Sequence, residues 1–67
     1  MRKVAAHVVE IEGQPPLRLA VVEISGHEVV RYYPFTDEQP MTEWLGGTIT
    51  ITSDRRAWHN GLLLIEE

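Results

Sequence analysis

Four consecutive residues, Gly13-Gln14-Pro15-Pro16, constrain the fold of this chain more than any other feature. Proline lacks a backbone N–H and has a fixed φ, so neither a helix interior nor a strand interior accepts the cluster. The segments on either side, residues 4–12 and 17–25, are rich in β-branched residues and have the length of strands. The sequence therefore predicts a β-hairpin that turns at the proline pair.

A third strand is predicted over residues 28–33, where β-branched and aromatic residues continue until Pro34 removes a backbone donor. A turn centred on Gly26-His27 would place Ile24 opposite Val29 and Val22 opposite Arg31. One face of this ladder is then nearly all apolar. It carries Ala5, Val9, Ile11, Ala20, Val22, Ile24 and Val29.

The opposite face of the ladder is also largely apolar. An antiparallel sheet with one solvated face alternates cleanly between apolar and polar residues, and this one does not. A chain of 67 residues buries only about 60% of its unfolded surface, and the absence of cysteine excludes disulfides. A homo-oligomer, with a dimer favoured, is therefore expected to cover the second face. That face carries Val4, Val8, Leu17, Leu19, Val21, Val30 and Tyr32, mixed with Glu10 and Glu23.

The C-terminal third predicts a second meander. Residues 48–52 alternate Thr and Ile with a period of two, which indicates a strand with one buried side. Two-residue turns at Ser53-Asp54 and Asn60-Gly61 would pair Ile49 with Trp58 and Trp58 with Leu63. The alternative is a two-turn helix capped by Ser53 and stopped by Gly61. In the hairpin form one apolar face carries Ile49, Ile51, Arg56, Trp58, Leu63 and Ile65, and the other places Arg55 opposite Glu66.

Between the two meanders, residues 34–46 contain two prolines, three acidic residues and isolated apolar residues. This pattern predicts a crossing loop whose apolar side chains plug a sheet edge or barrel end, and a short turn capped by Thr42 stays open. The resulting fold class is all-β, a single domain over residues 1–67. Two three-stranded antiparallel meanders, residues 4–33 and 47–66, form a small sandwich or a partly open barrel.

Charge and hydropathy narrow the function classes. The net charge is −4 and the six basic residues are scattered, so nucleic-acid binding is disfavoured. No apolar run approaches the length of a membrane span. Glu10 and Glu12 interrupt the N-terminal segment before the apolar region of a signal peptide could form. A cytoplasmic protein without membrane contact is expected.

Neither a catalytic nor a metal constellation is predicted. His7, His27 and His59 lie on different elements without the close ligand spacing of metal sites. Glu10 and Glu23 are interpreted as solubilising residues on one sheet face. No metal, cofactor or catalytic residue is therefore assigned. The alternative is a small enzyme with a site at a subunit interface, using His7 or His59 with a carboxylate such as Glu23.

Aromatic residues are the remaining candidates. Core or plug packing is expected for most of them, and a partner contact for the rest, with Tyr32, Trp44 and Trp58 as possible interaction residues. The leading hypothesis is a non-enzymatic β module that acts through self-association or protein–protein interaction. Another alternative is a binder of single-stranded nucleic acid or peptide that uses Trp44 and Tyr32.

Two stretches resemble known families. Residues 33–49, preceded by Val-Val-Glu-Ile and a glycine turn, look like a family of small uncharacterised all-β bacterial proteins, which implies no activity. Residues 25–30 together with residues 44–49 are similar to the small β domain of amidohydrolase-type metal hydrolases. That second resemblance implies only the fold of the appended β domain, because the H-x-H metal motif and the catalytic barrel of those enzymes are absent.

Overall fold

The protein is all-β, as predicted. The computed structural model describes residues 1–36 and 40–67, of which 61% are in strands and none are in a helix. Consequently, no described segment is a helix long and apolar enough to cross a membrane. The strands are β1 (Arg2–Ile11), β2 (Leu17–Ser25), β3 (Glu28–Pro34), β4 (Thr42–Trp44), β5 (Thr48–Ile51), β6 (Ala57–His59) and β7 (Leu62–Leu64).

The seven strands form one mixed sheet with β1 at its centre. The order is β3-β2-β1-β5-β6-β7, and β4 lies beside the first half of β1. Both predicted meanders are present, but they are joined edge to edge because β5 pairs in parallel with the second half of β1. Since all strands belong to one sheet that is not closed, the partly open barrel is the nearer of the two predicted arrangements.

Hydrogen bonds between distant turns hold the sheet in its curled form. The N–H of Val29, at the start of β3, donates to the carbonyl oxygen of Arg55 in the β5–β6 turn over 2.7 Å. The N–H of Glu66, after β7, donates to the carbonyl oxygen of Gly26 over 2.8 Å. The predicted side-chain pair of Arg55 with Glu66 is wrong, because the Glu66 carboxylate pairs with the N-terminal ammonium of Met1 instead.

The β1–β2 hairpin forms as predicted, but both strands change face midway. Val4 and Ala6 belong to the hydrophobic core in the first half of β1, whereas Val9 belongs to it in the second half. Leu19, on β2, has a left-handed φ of 51°, which interrupts the pleat at this point. The predicted placement of Ala5 on the core face and Val4 on the other is consequently wrong.

A bulge also shifts the β2–β3 register. Ile24 lies opposite Val29 as predicted, but the register shifts between Glu23 and Ile24, so Val22 faces Tyr32 rather than Arg31. An extra residue in one strand moves every later side chain to the opposite face. Tyr32 therefore packs against the core, contrary to the predicted face.

The face opposite the core is covered within the single chain over β1 and β2. Ala5 and Val21 have no exposed surface, and Glu23 is buried with its carboxylate hydrogen-bonded. This part of the face therefore needs no second chain to bury it. The observation removes part of the reason for expecting a dimer, since Leu19 of the predicted second face is still 44% exposed, and the dimer itself stays a prediction.

The C-terminal segment forms the predicted pair of hairpins, and the alternative helix is wrong. The first turn contains three residues rather than two, because Thr52 and Arg56 close it through an N–H to carbonyl bond of 2.9 Å. The extra residue places Ile49 opposite His59 and moves Trp58 out of the core face, where Ala57 takes its place. Beyond the second turn, Trp58 pairs with Leu63 as predicted.

The segment between the meanders is not only a loop. Thr42 begins β4, which pairs in parallel with Lys3 to Ala5 of β1, so the helical turn at Thr42 is wrong. The part of the predicted crossing loop over residues 37–39 lies outside the described residues. The strand places the half-exposed Trp44 beside Ala5 at the edge of the sheet.

Candidate interaction surfaces

The three aromatic interaction candidates lie on different surfaces. Tyr32 is half-buried on the core side, and its hydroxyl donates to the Gln14 side-chain oxygen over 3.1 Å. Trp44 is 52% exposed on the opposite face, in register with Ala5. Trp58 is 36% exposed in the second meander. Tyr32 and Trp44 therefore do not form the common stacking platform that a single-strand binder would require.

Two histidines converge on the Gly46-Gly47 pair that joins β4 to β5. The N–H of Gly47 donates to Nδ1 of His7 over 3.2 Å, and Nε2 of His59 lies 3.0 Å from the carbonyl oxygen of Gly46, to which it can only donate. The ring of Trp44 packs edge-on against His7, with centroids 4.8 Å apart. The two imidazole rings therefore hold the Gly46-Gly47 backbone in place. The spacing of the histidines in the sequence does not predict this cluster, because β1 and β6 are distant along the chain.

Neither imidazole lies with the carboxylate that the enzyme alternative requires. Glu23 is in register with Lys3 of β1, four residues before His7, which corresponds to about 13 Å along a strand. Glu10 lies seven residues from Lys3, so the two glutamates do not form a carboxylate pair either. Within the described residues, no group of three or more potential ligands could hold a metal ion.

Glu23 instead forms a structural cluster. Its Oε2 accepts a hydrogen bond from the Tyr33 hydroxyl over 2.5 Å, and its Oε1 lies 3.3 Å from Nε of Arg31. The hydrogen bond to Glu23 raises the pKa of Tyr33 above its usual value, and burial adds to the effect. Among the described residues, the partners of this carboxylate are the side chains of Tyr33 and Arg31 on β3, so the cluster stabilises β2 and β3.

The sheet ends at β3, β4 and β7 in the described part of the chain, and two of these edges are protected. On β3, Pro34 lacks an N–H, the bulge bends the strand, and the N–H of Val29 is already bonded. On β4, Glu43 forms a two-point ion pair with Arg2, with N–O distances of 2.8 and 3.1 Å. Proline, bulges and charges are the usual means of preventing strand addition at an edge.

The third edge, β7, has none of these protections along its own three residues, although Arg2 donates to the carbonyl oxygen of Ile65, just after the strand, over 3.0 Å. It consists of Leu62, Leu63 and Leu64, without charge, proline or bulge. Leu62 is 71% exposed, and Leu63 lies beside Trp58 on the outer face. The apolar run Leu-Leu-Leu-Ile after the Asn60-Gly61 turn is visible in the sequence. Only the strand order of the structure shows that this run forms an edge of the sheet.

A cleft opens where the sheet fails to close, between β3 and the β5–β6 turn. It has a volume of about 320 Å³ and lies beside the hydrogen bond from Val29 to Arg55. Arg55 also borders a larger, more polar hollow on the other side of this bond, together with His27 and Arg56. The lining of the cleft includes Ile11, Val30, Tyr32, Ile51, Thr52 and Arg55.

Comparisons with known proteins identify no relative: no family model, no curated protein and no solved structure matches the chain.

Proposed function

We propose that this protein is a non-enzymatic β module that assembles as a homodimer by pairing the β7 strands of two copies. The unprotected all-leucine edge of β7 carries this proposal, because the β3 and β4 edges of the same sheet bear proline, a bulge or an ion pair. An apolar edge strand with unpaired backbone groups is a template for another strand.

The backbone of β7 supports an antiparallel arrangement about Leu63. The two-residue Asn60-Gly61 turn makes His59 and Leu62 a hydrogen-bonded pair, so alternation leaves the N–H and carbonyl of Leu63 directed away from β6. A two-fold axis at Leu63 would let this residue exchange both bonds with Leu63 of the partner subunit. An isologous contact of this kind closes as a dimer and does not continue as a fibre.

The side chains of β6 and β7 are also compatible with a two-fold axis at Leu63. On the outer face, Trp58 and Leu63 would continue into Leu63 and Trp58 of the partner subunit as one apolar row. On the inner side, the exposed Leu62 would lie beside Leu64 of the partner subunit. Glu66 would face Asn60 of the partner subunit, so no like charges oppose each other.

The expected affinity is low. A paired edge of three residues covers far less than the roughly 1,000 Å² that stable interfaces exceed. Full burial of a leucine side chain contributes about 1.5–3 kcal/mol, and the symmetric contact contains two copies of Leu62. A dimer that dissociates on dilution is therefore expected rather than an obligate one.

Sedimentation velocity between 1 µM and 1 mM, orders of magnitude chosen to bracket weak association, tests the proposal. The wild-type protein should shift from monomer to dimer as concentration rises, and Leu62→Lys should abolish the shift. Met41→Lys is the matched control, because Met41 is an apolar residue that is 90% exposed and does not belong to β7. A wild-type monomer throughout, or equal loss of the dimer in both variants, would reject pairing through β7.

Amide exchange distinguishes β7 pairing from any other dimer. If the two β7 strands pair, exchange of the Leu63 amide should slow as the protein concentration rises, whereas exchange at Val30 on the protected β3 edge should not change. A dimer without added protection at Leu63 would place the contact elsewhere and would overturn the proposed geometry.

A further inference from the structure

We propose that the cleft between β3 and the β5–β6 turn binds small aliphatic monocarboxylates, with Arg55 as the residue that receives the carboxylate. This site is independent of the β7 edge. The cleft volume of about 320 Å³ lies at the lower limit of ligand pockets, which suits a small ligand.

The floor of the cleft is apolar. Ile11 and Ile51 are directly paired between β1 and β5, and their side chains continue the core into the cleft. Val30, the extra residue of the β3 bulge, lines the facing wall. This apolar floor removes aliphatic surface from water, and polar residues of the lining surround it, so a ligand with a short alkyl chain and one polar end fits the cleft. The polar residues are Glu12, Gln14, Tyr32, Thr52, Ser53 and Arg55.

Arg55 supplies the complementary charge. Its φ of 65° is left-handed, and three-residue turns of this type favour glycine at that position. The backbone is fixed there by bonds from Arg55 N–H to Thr52 and from Val29 N–H to Arg55. Arg2, Arg31 and Arg56 each have a carboxylate partner, whereas Arg55 has none among residues 1–36 and 40–67. Arg55 lines the cleft, and within that part of the chain no carboxylate competes with a ligand for its charge.

Glu12, the second charged residue that lines the cleft, limits the number of negative charges that a ligand can carry. Glu12 lines the same cleft from the β1–β2 turn. A ligand with a second carboxylate near Glu12 would meet like charge, so a monocarboxylate is favoured over a dicarboxylate.

A small molecule fits the cleft better than an added peptide strand. One end is closed by the bond between Val29 and Arg55, and the bulge and Pro34 interrupt the donor pattern that strand addition needs. The side chains of Tyr32 and Gln14, which both line the cleft, are joined by a hydrogen bond of 3.1 Å.

Titration of the ¹⁵N-labelled protein with octanoate, followed by amide shifts, tests the assignment. Octanoate should shift Ile11, Val30, Ile51 and Arg55, while octanol and octanedioate should bind at least about tenfold more weakly. Arg55→Gly should lower octanoate affinity by about tenfold or more without changing octanol binding, since glycine suits the backbone at this position.

Arg56→Gln is the matched control, because Arg56 is adjacent in sequence but ion-paired with Asp54. It should leave octanoate affinity within about twofold of the wild type. Absence of shifts in the cleft at millimolar octanoate, equal affinity for octanoate and octanol, or unchanged octanoate affinity in a folded Arg55→Gly variant would each overturn the proposal.

Discussion

Replacing Tyr33 by phenylalanine should destabilise the protein measurably through a single hydrogen bond. The Glu23 side chain is only 8% exposed, and its Oε2 depends on the Tyr33 hydroxyl, 2.5 Å away. The other partner, Arg31, is 61% exposed and bonds to Oε1. The variant therefore leaves one oxygen of a buried carboxylate without its donor.

The expected loss follows from the cost of removing a hydrogen bond to a charged group, about 1.5–3 kcal/mol. For a domain of this size, that loss corresponds to a decrease in Tm of roughly 6–24 °C. Urea and thermal unfolding followed by circular dichroism measure it. The double variant Glu23→Met, Tyr33→Phe should be more stable than Tyr33→Phe alone, because both buried polar partners are then replaced.

Two results would refute this reasoning. One is a Tyr33→Phe variant whose free energy of unfolding lies within about 0.5 kcal/mol of the wild-type value, the scale of a neutral surface change. The other is an equal loss from Tyr33→Phe in the wild type and in Glu23→Met, since the two residues would then not be coupled.

The free energy of unfolding at alkaline pH provides an independent check of the Tyr33–Glu23 hydrogen bond. The hydrogen bond to Glu23 raises the pKa of Tyr33 in the folded state, so the folded protein holds that proton more tightly than the unfolded chain. The stabilisation is complete below the unfolded tyrosine pKa of about 10 and is lost as pH rises through the higher folded pKa. Tyr33→Phe should not show this loss.

Two further variants test the β4–β5 junction and the Arg2–Glu43 ion pair. Gly47→Ala should lower the free energy of unfolding by about 1–2 kcal/mol, because Gly47 has a left-handed φ of 61°. Gly47→Asn should recover part of this loss, as measured by thermal unfolding. Equal stability of the wild type and both variants would contradict the role of the left-handed backbone. The hydrogen bond from Arg2 lowers the pKa of Glu43, so its stabilisation exists above the unfolded pKa and is lost as pH falls through the folded one. Glu43→Gln should reduce the acid dependence of unfolding, and an unchanged pH slope would contradict this.

Local chemistry made the turns and most strands predictable. Pro15 and Pro16 cannot continue a strand, so the hairpin that they separate follows from the residues themselves. Asn60 and Gly61 have φ of 52° and 76°, as the two-residue turn requires. The alternation in residues 48–51 similarly predicts which isoleucines are buried.

Side-chain faces were harder to predict because single-residue irregularities reverse them. The left-handed backbone at Leu19 carries no warning in the sequence, since leucine is not a residue that favours this conformation. The bulge near Glu23 and the third residue of the Ser53–Arg55 turn each move later residues to the opposite face. The two-residue turn predicts Trp58 on the core face, whereas in the structure it is partly exposed.

The sequence by itself determined the all-β class, the positions of the turns and the two meanders, because these depend on residues that are neighbours along the chain. Only the tertiary structure decided that β5 pairs in parallel with β1, that β7 is left as an unprotected edge, and that a cleft opens beside Arg55. Those features depend on contacts between residues far apart along the chain, such as Val8 with Thr48 and Val29 with Arg55. Strand propensity and periodicity describe which segments pair well but not which partner each one meets.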